Sequence, residues 1–434
     1  MLQVNTKAGI LEGIRHDEYT VFLGIPYAKP PVGALRWCPP QPAESWEGVR
    51  KAVHFPTRSM QEVHEDPFYD KEFYDEASYQ TPVSEDSLYL NVWTPAKAAD
   101  EKLPVAFWIH GGAFMGGFGH EKEFDGAAFC RRGVILVTIN YRLGAMGFLA
   151  HPWLSKEQGG VSGNYGILDQ IAALRWVYEN IEAFGGDRDR ITVMGQSAGG
   201  MSVQTLVSSP LTKGMIQGAI LQSCLGLSYD HSLEKAVAEG QEISDNLGVQ
   251  SLDELRTLPL EKLMEGAGPI IMRGFATMEL PFTPVIDGRV LQEGYNAARD
   301  EGHVAEVPYL IGSNLNDIAV DPEALARGER GKVYHAVDAW AEARVNHSDD
   351  RVYAYDFVRQ LPGNDAGAFH SAELWYMFGT LDRCWRPMTE ADHALSERML
   401  DYWTNFIKTG SPNGPGLPHW APWAQPGDRM VFDV

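Results

Sequence analysis

The sequence predicts an α/β fold in which one mostly parallel β-sheet carries helices on both faces. Three observations predict it. Val105–Ile109 and Val134–Ile139 are short, almost purely apolar runs, the pattern of strands buried on both sides. Apolar residues Ile167, Ile171, Leu174, Tyr178 and Ile181 recur at helical spacing, so one face of a helix meets the sheet. Strand and helix patterns then alternate through most of the chain, with no internal repeat, low-complexity tract or linker. Residues 1–434 are therefore expected to form a single domain.

Taken in order, Thr20 to Pro40 is broken by Gly24, Pro26, Pro30, Pro31, Gly33, Pro39 and Pro40 and reads as ordered loop. Leu88–Trp93 is the first strand, followed by Val105–Ile109 and Val134–Ile139. The helix from Ile167 to Ile181 ends at Gly185-Gly186, residues suited to a left-handed helix stop. Ile191–Met194, Gly218–Leu221 and Val307–Ile311 complete the expected strands.

Of the 434 residues, 44% are hydrophobic and 22% charged, the balance of a globular chain able to bury a large core. The formal charge of −22 would repel phosphate backbones and anionic lipid, which argues against nucleic acid and membrane surfaces as partners. No window reaches the roughly 18 apolar residues of a membrane helix, and Met1 to Ile10 lacks an apolar run of signal-peptide length. Cys38, Cys130, Cys224 and Cys384 are too few and too scattered for a disulfide framework, and no Cys/His spacing suggests a metal. A cytoplasmic protein without metal or organic cofactor is expected.

Gly195-Gln-Ser-Ala-Gly199 directly follows the strand Ile191–Met194 and precedes a small-residue stretch that can open a helix. A serine on such a turn is held in strained backbone geometry with its hydroxyl exposed. His110-Gly-Gly-Ala-Phe114 directly follows Val105–Ile109. Its glycines leave backbone N–H groups free to stabilise an oxyanion. The two motifs stand in the order that α/β-hydrolases require. A hydroxyl near its ordinary pKa is a poor nucleophile, so a histidine must take its proton, and in this fold the chain order is Ser, acid, His. His231, His303, His335, His347, His370, His393 and His419 all follow Ser197. Composition does not choose among them, although His370 lies in a loop-like stretch after Pro362-Gly363.

The chain resembles the type B carboxylesterase and cholinesterase family nearly end to end. The matching segments are Phe22–Pro31, Ser84–Val92, His110–Phe114, Asn140–Leu143, Gly163–Gly166 with Asp169-Gln170, Phe184–Asp187, Gly195–Gly200, Pro284–Gly288 and Thr409–Asn413. The resemblance implies an α/β-hydrolase fold and a serine hydrolase acting on small-molecule carboxylic esters through an acyl-enzyme. It assigns Ser197 as nucleophile, Gly111, Gly112 and Ala198 as oxyanion donors, and His370 as base, because the family histidine also precedes a Glu-Leu-aromatic sequence like Glu373-Leu-Trp-Tyr376. Laying the family's Gly-x-Asn-x-x-Glu on Gly312-Ser-Asn-Leu-Asn-Asp317 puts the acid at Asp317, just past the strand Val307–Ile311. Phe118, Cys224, Trp375, Tyr376 and Phe378 lie next to the motifs and are expected to wall an apolar pocket.

Several positions depart from the family. The cysteines that secreted relatives join correspond to Met60 and Ser87, which supports a cytoplasmic, bacterial protein. Gln196 stands where Glu is usual, Cys224 where Gly is usual, and Asp317 where Glu is usual. The stretch between Asp317 and His370 is short, so an open, shallow site is expected. Asp287, in Ile286-Asp-Gly288, reads as a turn residue, and Glu373 lies too close to His370 to be its obvious acid. Ser232-Leu-Glu-Lys235 fits S-x-x-K without the other motifs of that hydrolase class. A silent binding member of the family, or cleavage of thioesters, lactones or activated amides, would use the same scaffold.

Overall fold

The computed structural model describes all residues except 63–65, 229, 278, 319 and 350, together with the side chains of Phe275 and Ala276. Ten strands form the central sheet: β1 Ile14–Arg15, β2 Thr20–Pro26, β3 Tyr89–Thr94, β4 Leu103–Ile109, β5 Ile135–Ile139, β6 Gly186–Gln196, β7 Gly218–Gln222, β8 Tyr309–Asn314, β9 Val352–Phe357 and β10 Met430–Phe432. Their spatial order is β10-β9-β8-β7-β6-β4-β5-β3-β2-β1. From β5 through β10 the neighbours run parallel, while β1, β2 and β3 join antiparallel at one edge. This is the mostly parallel sheet of an α/β-hydrolase.

Alternation along β4 shows why the apolar runs form buried strands. Val105, Phe107 and Ile109 enter the core on one face, and Ala106 and Trp108 enter the core on the other. The first core is roofed by α1 Tyr165–Asn180 and α2 Ala198–Ser208. The second is covered by a short helix, Leu374–Phe378, and a long one, Glu390–Thr409. The helix expected at Ile167–Ile181 is therefore present as α1, and a 3₁₀ turn at Ile181–Phe184 leads to Gly185 at φ 82. Among the described residues no helix is long and apolar enough to cross a membrane.

One expectation is corrected. Part of the segment read as loop, Thr20–Pro26, is strand β2 of the central sheet. Its glycine and proline are accommodated without breaking the strand, because the register with β3 shifts between Phe22 and Ile25. Gly24 occupies that bulge at φ 70, where its N–H donates to Asn91 Oδ1 at 3.0 Å, and Pro26 closes the strand.

A buried ion pair joins two of the sequence motifs. Arg142 Nε and Nη2 each donate at 2.7 Å to Asp169, and the Arg142 backbone N–H donates to Asp169 Oδ2 at 3.0 Å. The turn after β5 is thus bolted to the first core helix. Gln170 on that helix donates to Ser202 on α2 at 2.9 Å. Breaking such a pair from one side leaves a buried charge uncompensated, which costs about 3–5 kcal/mol.

The strand order places the site. The order in which strands are added reverses after β5: β5 lies on one side of β4, and β6, parallel to β4, lies on the other. In open α/β sheets, ligands bind beyond the carboxyl ends of strands at such a switch point. Gly195 pairs with Ile109, so Ser197 and the glycine turn emerge at the same end of adjacent strands.

Candidate active site

Ser197 joins β6 to α2 with φ 56 and ψ −128, a conformation that side-chain-bearing residues rarely adopt. The two glycines of the motif permit the sharp turn. A Cβ on Gly195 would stand 2.4 Å from the Gly199 carbonyl carbon, and one on Gly199 would stand 2.0 Å from the Ile109 oxygen. The Ser197 N–H donates to the Gln222 carbonyl at 2.9 Å, which ties the turn to the end of β7. Ser197 is partly exposed, and its Oγ makes no hydrogen bond to another described residue.

The turn after β4 carries three consecutive residues at positive φ: Gly112 at 98, Ala113 at 55 and Phe114 at 60. The Gly112 carbonyl accepts from the N–H groups of Met115 and Gly116, and the Tyr141 hydroxyl donates to the His110 carbonyl at 3.1 Å. His110 stacks on Tyr141 and its Nδ1–H donates to the Gly111 carbonyl at 2.8 Å. Burial pushes the His110 imidazole down to about 4 despite that hydrogen bond, so the ring is a neutral structural support of the turn. A Cβ on Gly111 would stand 3.2 Å from Ser197 Cβ. The backbone N–H groups of Gly111, Gly112 and Ala198 donate to no other described residue.

Asp317 and His370 are brought together by a small bridge between two loops. Beyond β8 and β9, Asn316 pairs with Phe369, and the Asn316 N–H donates to the Ala368 carbonyl at 3.1 Å. His370 Nδ1 then lies 2.6 Å from Asp317 Oδ1. The other carboxylate oxygen accepts from the Asn314 N–H at 3.0 Å, and Oδ1 also accepts from the Ile318 N–H at 2.8 Å. Burial acts to raise the Asp317 carboxyl, but the His370 imidazole and the Asn314 N–H together hold it below its ordinary value. A carboxylate on Nδ1 fixes the tautomer with its proton on that nitrogen and leaves Nε2 as a proton acceptor.

Glu373 does not reach the imidazole nitrogens. Its carboxylate accepts from Asn314 Nδ2 at 2.6 Å and from Gln222 Nε2 at 3.2 Å, beneath the loop. Asp287 accepts from the N–H groups of Arg289, Val290 and Leu291, the geometry of a turn residue. Ser232 of the S-x-x-K sequence is a helix N-cap, with its hydroxyl accepting from the Lys235 N–H at 3.2 Å.

The Carboxylesterase family model matches residues 1–332 and 330–434. The chain belongs to the carboxylesterase family. A fumonisin B1 esterase of Sphingopyxis macrogoltabida is 41% identical, the match covering 99% of this chain and 86% of the relative. The para-nitrobenzyl esterase of Bacillus subtilis is 34% identical over 94% of this chain and 90% of its own length. A solved para-nitrobenzyl esterase structure superposes with TM-score 0.85 at 32% identity, covering 99% of this chain and 95% of that one. The carboxylesterase is thus a serine carboxylic ester hydrolase of the α/β-hydrolase fold.

A cavity of about 590 Å³ opens in the esterase beside the glycine turn. Gly112, Met115 and Phe118 form one wall, Tyr69 and Tyr74 a second, and Ile271, Leu280 and Pro281 a third. The cavity reaches the glycine turn at Gly112 and Ala113, and its other walls come from the segments around residues 58–83 and 271–281 rather than from the short stretch before His370.

Of the aromatic residues expected to wall a pocket, Phe118 lines this cavity. Trp375, Tyr376 and Phe378 do not. All three are fully buried in the second core. Trp375 stacks on Phe73, Phe378 packs edge-on to Trp108, and the Tyr376 hydroxyl donates to Asp392 Oδ1 at 2.7 Å. They share a helical turn that faces the sheet, which nearness in sequence to His370 could not disclose. Cys224 is also fully buried, packed where a Cβ on Gly200 would meet its sulfur at 2.7 Å.

Two features escaped sequence reasoning. Gln196 Nε2 lies 3.1 Å from His370 Nε2, a contact across 174 residues of chain. Glu293, Glu301 and His303 also meet on the surface, where His303 Nδ1 lies 2.6 Å from Glu293 Oε1, a cluster whose spacing in the sequence matches no metal motif.

Proposed function

We propose that this carboxylesterase works through a Ser197–His370–Asp317 triad, with the backbone N–H groups of Gly111, Gly112 and Ala198 as the oxyanion hole and without metal or cofactor. The observation that carries the reading is the 2.6 Å contact of His370 Nδ1 with Asp317 Oδ1, at the same end of the sheet as a serine held at φ 56. Ser197 Oγ attacks the ester carbonyl carbon as His370 Nε2 takes the hydroxyl proton. The carbonyl π electrons move to oxygen, and the N–H groups of the two turns stabilise the resulting oxyanion. Collapse breaks the bond to the alcohol oxygen, to which His370 returns the proton. Water then attacks the acyl-enzyme with His370 again as base, releasing the acid and Ser197. Asp317 holds the tautomer and offsets the charge of the imidazolium.

The substrate is a small-molecule ester. A cavity of about 590 Å³ is of a size that takes drug-sized molecules. We read the ester as seated against Phe118, Met115 and Tyr74. Four free cysteines and bacterial relatives support a cytoplasmic, bacterial enzyme, and the charge of −22 supports neither nucleic acid nor anionic membrane as partner. Folding as one domain is supported by a single sheet that draws strands from Ile14 to Phe432. Turnover of p-nitrophenyl esters by Ser197→Ala tests the reading. A loss of about 10⁶-fold is expected, and a variant retaining a tenth of the wild-type rate would rule the site out.

A further inference from the structure

Gln196 is 2% exposed, at the carboxyl end of β6 next to Ser197. Its Nε2 lies 3.1 Å from His370 Nε2 and 3.5 Å from His370 Nδ1. An atom placed along the Nε2 lone pair would stand much farther from Nδ1, on the other side of the ring. Two nearly equal distances therefore put the amide over the face of the imidazole, leaving the in-plane Nε2 lone pair clear of it. The other end of the amide, Oε1, stands 3.3 Å from the place a Cβ on Gly111 would occupy. Gln196 thus fills the space between the imidazole and the glycine turn.

We propose that Gln196 is a positioning residue that holds the plane of the His370 ring toward Ser197 and sets an uncharged amide, rather than a carboxylate, against its face. The proposal rests on the reading of His370 as the base. The other groups around the ring leave this position electrostatically decisive. Asp317 occupies Nδ1, and the Tyr69 hydroxyl donates to the His370 carbonyl at 3.2 Å. Glu373 lies below, accepting from Asn314 and Gln222, and burial, reinforced by the charge of Asp317, raises its carboxyl despite the Asn314 bond. Ser223 and Cys224 come from the turn after β7, and Tyr355 comes from β9. Arg386 faces the Phe369 ring, and its charge is matched by Glu72 at 2.7 Å. A carboxylate at position 196 would add a second negative charge directly against the imidazole and beside the oxyanion turn. It would favour the imidazolium, which cannot act as a base, and would oppose the developing oxyanion.

The test is the pH profile of kcat/KM for wild type, Gln196→Glu and Gln196→Met, with a fluorophosphonate probe as an independent check on Ser197. The acid limb of this profile reports the base of the free enzyme. Gln196→Glu is expected to move the limb up by about one pH unit or more, the effect of an opposite charge at this range on an imidazolium. Gln196→Met, of similar length but without the amide, is expected to move the limb far less and to lower kcat severalfold at unchanged KM, because the ring loses its cover. A limb in Gln196→Glu that coincides with wild type, or that moves equally in both variants, overturns the proposal. Failure of the probe to label wild-type Ser197 would overturn the reading of the base itself, and this proposal with it.

Discussion

Asn314 Nδ2 donates at 2.6 Å to Glu373 Oε2 and at 2.8 Å to the Phe369 carbonyl. The backbone N–H of Asn314 donates at 3.0 Å to Asp317 Oδ2. One residue at the end of β8 therefore holds Asp317, the proposed acid, with its main chain and the loop bearing His370 with its side chain. Asn314→Ala removes a donor from a buried carboxyl and a buried carbonyl, and is expected to cost about 1–3 kcal/mol of stability. It should also lower kcat more than it raises KM. Denaturant unfolding and steady-state kinetics check both.

Asp317→Asn keeps the shape of the acid but places an N–H₂ or a neutral carbonyl against Nδ1. A related constellation loses about 10⁴ in rate from this change, and the same order is expected here with the fold retained. Asp287→Asn is expected to act on stability instead, because its carboxylate serves three backbone N–H groups of a turn. Circular dichroism melts beside ester turnover separate the two outcomes. A nearly wild-type Asp317→Asn with a crippled Glu373→Gln would move the acid to Glu373.

Gly111→Ala pushes a methyl group to 2.9 Å from the Gln196 carbonyl oxygen and 3.2 Å from Ser197 Cβ. The turn must shift, and its N–H groups shift with it. A loss of about 10²-fold in kcat is expected, the order seen when one oxyanion donor is removed. Single-turnover acylation kinetics measure it.

Glu121 and Glu123 form a buried acid pair behind the glycine turn, where Glu121 Oε1 accepts from the Phe118 N–H at 2.9 Å. Burial raises both carboxyls, Glu121 to about 7, and the charge of Glu121 raises Glu123 further. Between the ordinary carboxylate range and neutrality the folded chain then holds more protons than the unfolded chain. Stability contributed by the pair is present at the acid end and lost as pH rises through this window. Asp317 has the opposite sign, since its lowered carboxyl contributes stability that is lost only when pH falls below the ordinary carboxylate range. The contribution of the pair to the melting temperature should therefore decline from about pH 5 to pH 8, against the opposite trend of His110, whose lowered imidazole contributes stability as pH rises, and the difference between wild type and Glu123→Gln across that range measures it.

Much of the candidate site was legible because its residues sit in short motifs at strand ends. Ser197 and the glycine turn follow apolar runs directly, and Asp317 lies three residues past β8, so local order located them. His370 was reached only through its flanking Glu373-Leu-Trp-Tyr376, because the Asn316–Phe369 bridge that delivers it to Asp317 joins loops far apart in sequence. Packing accounts for what was misread. Trp375, Tyr376 and Phe378 follow the histidine yet turn inward onto Trp108 and Phe73, and no pattern local to residues 370–378 distinguishes a pocket wall from a core face. Strand β2 was hidden because a bulge and a terminal proline carry the residues that usually end strands. The role of Gln196 depends on a contact that no spacing encodes.

Covalent labelling decides whether Ser197 is the nucleophile that His370 and Asp317 serve. The enzyme is incubated with a fluorophosphonate probe and the modified peptide is located by mass spectrometry. One adduct is expected, on Ser197, lost in Ser197→Ala and formed far more slowly in Asp317→Asn. An adduct on another residue, or ester turnover that persists in an enzyme the probe does not label, would contradict it.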